Sequence, residues 1–116
     1  MKPSSAKQKG RLLQQLVAKK LIESFPFFTE LDIKSTGMGQ NGEDVQLSQA
    51  AKNLLQIQIE CKSRAAIAVY KDYEQADTHG THEPVVVIKQ NRSKPLALID
   101  LDYFIKILKG YINERI

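Results

Sequence analysis

Hydrophobic positions along the chain follow two periods, and the switches between them divide it into elements. In RLLQQLVAKKLIESF, Leu12, Leu13, Leu16, Val17, Leu21 and Ile22 recur at the i, i+3, i+4 intervals of an amphipathic helix, with Lys9, Arg11, Lys19 and Lys20 on the other face. Pro26 ends that helix, because the residue before a proline is pushed out of the helical region. LDIKST predicts a short strand and DVQL another, separated by GMGQNGED, whose three glycines in six residues suit a loop. SQAAKN supplies a serine able to cap one helical turn. In LLQIQIEC the period becomes two, Leu55, Ile57 and Ile59 against Gln56, Gln58 and Glu60, so a strand with unlike faces is predicted. RAAIAVYKDYEQADTH returns to helical spacing through Ala66, Val69, Tyr73 and Ala76. EPVVVIKQN is an apolar, β-branched run and so a buried strand, NRSKP a turn, LALIDL its partner strand, and DYFIKILKGYI a closing amphipathic helix. The predicted order is αβββαββα: an α/β fold with a mixed five-stranded sheet flanked by helices, in one domain over residues 1–116, with a loose start over residues 1–8.

Composition narrows the class of function. The chain has 116 residues, 42% hydrophobic and 26% charged, as in ordinary folded domains, with 17 Lys and Arg against 13 Asp and Glu. A net charge of +4 favours an anionic partner without naming one. The single cysteine, Cys61, has no internal disulfide partner, which predicts a reducing compartment. No apolar run approaches the roughly 18 residues of a membrane span, and MKPSSAKQKG lacks the apolar centre of a signal peptide, so a cytoplasmic protein with no membrane partner is expected.

Candidate chemistry lies near the end of the alternating strand. Period two puts Glu60 and Lys62 side by side on one face, and Asp44, on the preceding strand, can reach the same end of the sheet. A hard divalent cation such as magnesium takes oxygen ligands, which Asp44, Glu60 and the backbone carbonyl of Cys61 can supply with water completing the shell. Beside them Lys62 is suited to stabilising charge on a scissile phosphate. Asp-x(15)-Glu-x-Lys is by itself a common pattern, and the competing reading is a solvated strand end.

Over most of its length, through KQKGRLLQQLV, DIKSTGMGQNGEDVQLSQAAKNL, IECKSR, YEQA, KQNRSKP and LIDLDYF, the chain resembles the PD-(D/E)xK nuclease superfamily. Within it, the chain is similar to small phage-encoded endonucleases related in plan to archaeal Holliday-junction resolvases. The resemblance implies a restriction-endonuclease-like core and a catalytic set of Asp44, Glu60 and Lys62 supported by Gln75. It implies a magnesium cofactor that manganese replaces. Two departures stand out: the superfamily's proline before the Asp is Glu43 here, a rival ligand, and the acidic residue that resolvases carry on the first helix is matched only by Gln14 or Gln15.

The expected DNA contacts are Ser35, Thr36 and Met38 around the glycine loop, Lys9 and Arg11 on the first helix, Arg64 beside the site, and Lys89, Arg92 and Lys94 at a hairpin turn. For any single one of these lysines and arginines a solvated face is the simpler account. His79 and His82 read as a solvated loop, and Cys61 as core. The function expected is a magnesium-dependent DNA endonuclease, structure-selective on branched DNA and acting as a homodimer in the cytoplasm, of the host where phage-encoded. The alternatives are a less selective phage nuclease and a nucleic-acid-binding module without catalysis. The homodimer is expected from surplus apolar residues: Tyr103, Phe104, Ile107, Leu108, Tyr111 and Ile112, joined by Phe25, Phe27 and Phe28.

Overall fold

A computed structural model describes residues 3–35 and 44–116. Four helices and five strands follow in the order α1 (Pro3–Ser24), β1 (Ile33–Ser35), β2 (Val45–Leu47), α2 (Gln49–Leu55), β3 (Ile57–Ser63), α3 (Val69–Asp77), β4 (Glu83–Lys89), β5 (Leu96–Leu98) and α4 (Leu101–Arg115). The strands form one sheet in sequence order. β1/β2, β2/β3 and β4/β5 are antiparallel, while β3 and β4 run parallel because α3 carries the chain back across the sheet. The fold is α/β with a mixed five-stranded sheet and flanking helices.

Three elements depart from the sequence reading. Helix α1 reaches back to Pro3, through residues expected to be loose: a proline in the first turn loses no intrahelical bond, and Gly10 is carried mid-helix. The Ser48 segment forms a seven-residue helix rather than one turn, placing α2 between β2 and β3. Ser48 Oγ accepts from Ala51 N at 3.1 Å and donates to Asp32 Oδ1 at 2.8 Å, so the cap is itself anchored to the chain before β1. Leu55 belongs to this helix, and Gln56, in the left-handed region at φ 56°, makes the turn into β3. Third, both faces of β3 are covered.

One face of the sheet packs on α1. Ile33, Val45, Leu47, Ile59 and Cys61 meet Leu13, Ala18, Phe28 and Ala51 in the buried core, with Val85 and Val87 packed against it. Phe25 and Phe28 are spent on this core, Phe28 standing edge-on to Phe27 at 4.7 Å between centroids, so only Phe27 of that trio is left as exposed surplus. The opposite face, polar in sequence, is roofed by α3: Gln58, Glu60 and Val86 are all buried there. Gln58 makes that burial possible. Its Nε2 donates to Ala76 O at 2.8 Å, satisfying an end carbonyl of α3, and its Oε1 accepts from His82 N at 3.1 Å. Gly80 leaves room for it: a Cβ there would stand 2.5 Å from Gln58 Oε1, so a larger residue has to displace this buried amide.

Helix α4 behaves differently. The sequence suggests a helix covering the sheet, yet no residue of α4 is buried, and Tyr103 is its most covered side chain. Among the described residues, no helix is long and apolar enough to cross a membrane.

Candidate active site

β3 and α3 run antiparallel past each other, and their facing side chains pair rung by rung. Glu60 and Lys62 of β3 and Arg64 just past its end are spaced at intervals of two, and His79, Gln75 and Asp72 leave the helix and its end at intervals of four and three, all on one side of each element. His79 Nδ1 lies 2.7 Å from Glu60 Oε2, Lys62 Nζ donates to Gln75 Oε1 at 2.9 Å, and Arg64 Nη2 stands 3.6 Å from Asp72 Oδ1. Within the strand, Lys62 Nζ is 3.9 Å from Glu60 Oε1.

Asp44 closes the other side. Its amide donates to Ile59 O at 3.0 Å, prolonging the β2/β3 pairing, and its Oδ2 accepts from Cys61 N at 2.8 Å. In a strand the N–H and C=O of one residue leave on the same side, so the Cys61 carbonyl faces the edge where Asp44 sits. Asp44, Glu60, Lys62 and Gln75 are thus gathered at one place.

The electrostatics remove the solvated-strand-end reading. The Glu60 side chain is 5% exposed, and burial, with the negative charge of Asp44 added, pushes its carboxyl up to about 7 against the pull of His79 and Lys62. Burial is the larger cause and the Asp44 charge the smaller, and a bound cation would offset both. The donors fit a hard cation that keeps much of its water: two carboxylates and a carbonyl, with the neighbouring imidazole of His79 engaged through Nδ1 by Glu60 Oε2; among the described residues no three His, Cys, Asp or Glu side chains gather as a metal cluster. The Cys61 thiol is no ligand, because burial and the neighbouring carboxylates push it up to about 12 and keep it protonated.

Of the expected nucleic-acid contacts, Lys9, Lys89 and Arg92 come together. They line a groove of about 430 Å³ at the C-terminal ends of β3 and β4, with Ser63 and Asn91 and with Leu12, Leu13 and Leu16 of α1 as its apolar wall, and Lys9 Nζ donates to Asn91 Oδ1 at 2.7 Å. Arg64 stands at the same sheet end, its amide donating to Lys89 O. Ser35 ends β1 opposite Val45, next to Asp44. Arg11 is exposed on α1 away from the groove, and Lys94 lines a separate apolar pocket with Ile67 and Val69. Thr36, Met38 and Glu43 lie outside the described residues. Gln14 carries a buried Oε1 with no hydrogen-bond partner, whereas Gln15 is exposed.

No family model, curated protein or solved structure matches the chain. The site therefore rests on its own geometry.

Two of its members escaped the sequence. His79 reads as a loop histidine until Glu60 is found buried beside it; the available signal was its position four residues after Gln75, on the same helical face. Asp72, 2% exposed, continues that face three residues before Gln75, and its Oδ2 has no partner.

Proposed function

We propose that the chain is a metal-dependent DNA endonuclease with a restriction-endonuclease-like core, acting on branched DNA such as four-way junctions. The observation that carries the reading is the convergence of Asp44, Glu60 and Lys62 beside the central strand β3 with Glu60 desolvated, an arrangement costly to fold and without use as a solvated strand end. The interruption of the strand meander by α2 is a departure from the superfamily plan that leaves the β2/β3 pairing in place.

Asp44, Glu60 and the Cys61 carbonyl would hold magnesium, or manganese in its place, which when bound supplies positive charge to the phosphate under attack. Lys62 is held by Gln75 and Glu60 with its side chain 12% exposed, so its ammonium is fixed in place to meet charge developing on the phosphate. Lys9, Lys89 and Arg92 would take the flanking backbone phosphates at the same end of the sheet. A domain of this size offers little surface for reading base edges, which favours recognition of DNA shape.

The test is cleavage of a four-way junction, a flap, a linear duplex and single-stranded DNA, each with and without magnesium. Junction cutting that needs magnesium is expected, lost in Glu60→Gln and Lys62→Ala while both still bind the junction. Equal cutting of all four substrates would remove the branch selectivity, and cleavage by Glu60→Gln would remove the assignment of the site.

A further inference from the structure

We infer that His79 is a positioning residue: its imidazole occupies Oε2 of Glu60, so that this carboxylate meets a divalent cation through Oε1 alone. The inference rests on the metal site proposed above and adds what limits the oxygens that Glu60 offers there.

The two oxygens of Glu60 have unequal surroundings. Oε2 lies 2.7 Å from His79 Nδ1, whereas Oε1 faces Lys62 Nζ at 3.9 Å, past hydrogen-bond distance, because Gln75 Oε1 takes that ammonium at 2.9 Å. Asp44 is divided in the same way: its Oδ2 accepts from Cys61 N at 2.8 Å, and among the described residues nothing donates to its Oδ1. Each carboxylate thus gives one oxygen to the protein and keeps the other. Single carboxylate oxygens suit magnesium or manganese, small ions with strict octahedral geometry, while calcium is larger and accepts both oxygens of one carboxylate.

The turn that carries His79 is held against β3. α3 ends at Asp77, and just beyond it His79 N donates to Ala76 O at 3.2 Å and Thr78 Oγ1 to Gln75 O at 2.6 Å. Gln58, two residues before Glu60 on the same face of the strand, grips the turn on both sides of His79, through Ala76 O at 2.8 Å and His82 N at 3.1 Å. Gly80 adds no side chain to hold the turn off that amide. The ring is therefore delivered to Glu60 by fixed backbone, and a ligand oriented by such a partner binds metal more tightly than one left to rotate.

The test counts bound Mn²⁺ by electron paramagnetic resonance on the full chain without DNA, and follows Ca²⁺ by competition. His79→Ala is expected to weaken Mn²⁺ about 10-fold. Ca²⁺ should weaken less, because the freed Oε2 can join Oε1, so the preference for Mn²⁺ over Ca²⁺ falls. His79→Asn, whose amide N–H stands where Nδ1 does, should restore both affinity and preference. His79→Ala binding Mn²⁺ like the parent while Glu60→Gln does not overturns the inference and leaves the site standing, as does an Asn variant no better than Ala. A parent chain that binds no Mn²⁺ overturns the site and the inference together. Should His79→Ala not fold, nitrogen NMR of the parent decides: Nδ1 is expected to carry the proton in the Mg²⁺-saturated protein, and a bare Nδ1 there overturns the inference.

Discussion

Replacing Glu60 with glutamine should make the protein more stable at pH 8 and leave it almost unchanged at pH 4. Glu60 ionises at an ordinary value of 4.5 in the unfolded chain and at about 7 in the fold. Between those values the folded state holds a proton that the unfolded state has released, so stability falls as pH rises through the window and levels off above it. At roughly 1.36 kcal/mol for each tenfold change in proton affinity, the full cost above pH 7 is about 3 kcal/mol. That figure already includes the favourable pull of Lys62 and His79, so glutamine, the isostere of the protonated acid, should recover most of it. Urea unfolding of both proteins at half-unit steps from pH 4 to 8 measures the difference. The two curves should coincide near pH 4 and diverge to about 3 kcal/mol by pH 8, a melting-temperature gain on the order of 10 °C. Parallel curves across the range, or a less stable variant at pH 8, would show that Glu60 is not destabilised by burial in the fold.

Gln58→Ala removes a buried amide that serves both an end carbonyl of α3 and the His82 amide, and leaves a cavity; a loss of about 2–4 kcal/mol is expected in denaturant titration. Gly10→Ala meets nothing within 4 Å and sits inside α1, so a gain of about 0.5–1 kcal/mol is expected from the same measurement. His79→Ala takes away a partner that lowers the Glu60 carboxyl, which should then titrate higher than in the parent protein when followed by carbon NMR.

Segments whose periodicity answers to neighbours within the chain were legible. Glu83–Lys89 runs between β3 and β5 inside the sheet with every residue buried or half-buried, and a β-branched run bounded by loops says so. Alternation in β3 was read correctly for where each side chain points and incorrectly for what lies there: Gln58 and Glu60 are polar, yet α3 buries them through hydrogen bonds that no pattern of residue types encodes. The length of α2 was hidden for a similar reason, since its cap depends on Asp32, sixteen residues away in sequence. Asp44, Glu60 and Lys62 were legible as a spacing, but the burial that distinguishes them from a solvated strand end was not. In α4 the apolar pattern was clear, and what it overstated was the chain's ability to bury that face by itself.

Cys61 lies between Glu60 and Lys62 in the chain but points into the core. It is 7% exposed, and its proton is held up to about 12. A thiol so placed is inert to alkylating reagents while β3 stays in the sheet, and reactive when the strand comes out. As the chain's single cysteine, it is a built-in clock for the opening of that strand. The labelling rate reports, without any added probe, how often the strand that carries Glu60 and Lys62 detaches from its neighbours. Anything that clamps Asp44 to that strand, whose carboxylate already accepts the Cys61 amide, will be read as slower labelling.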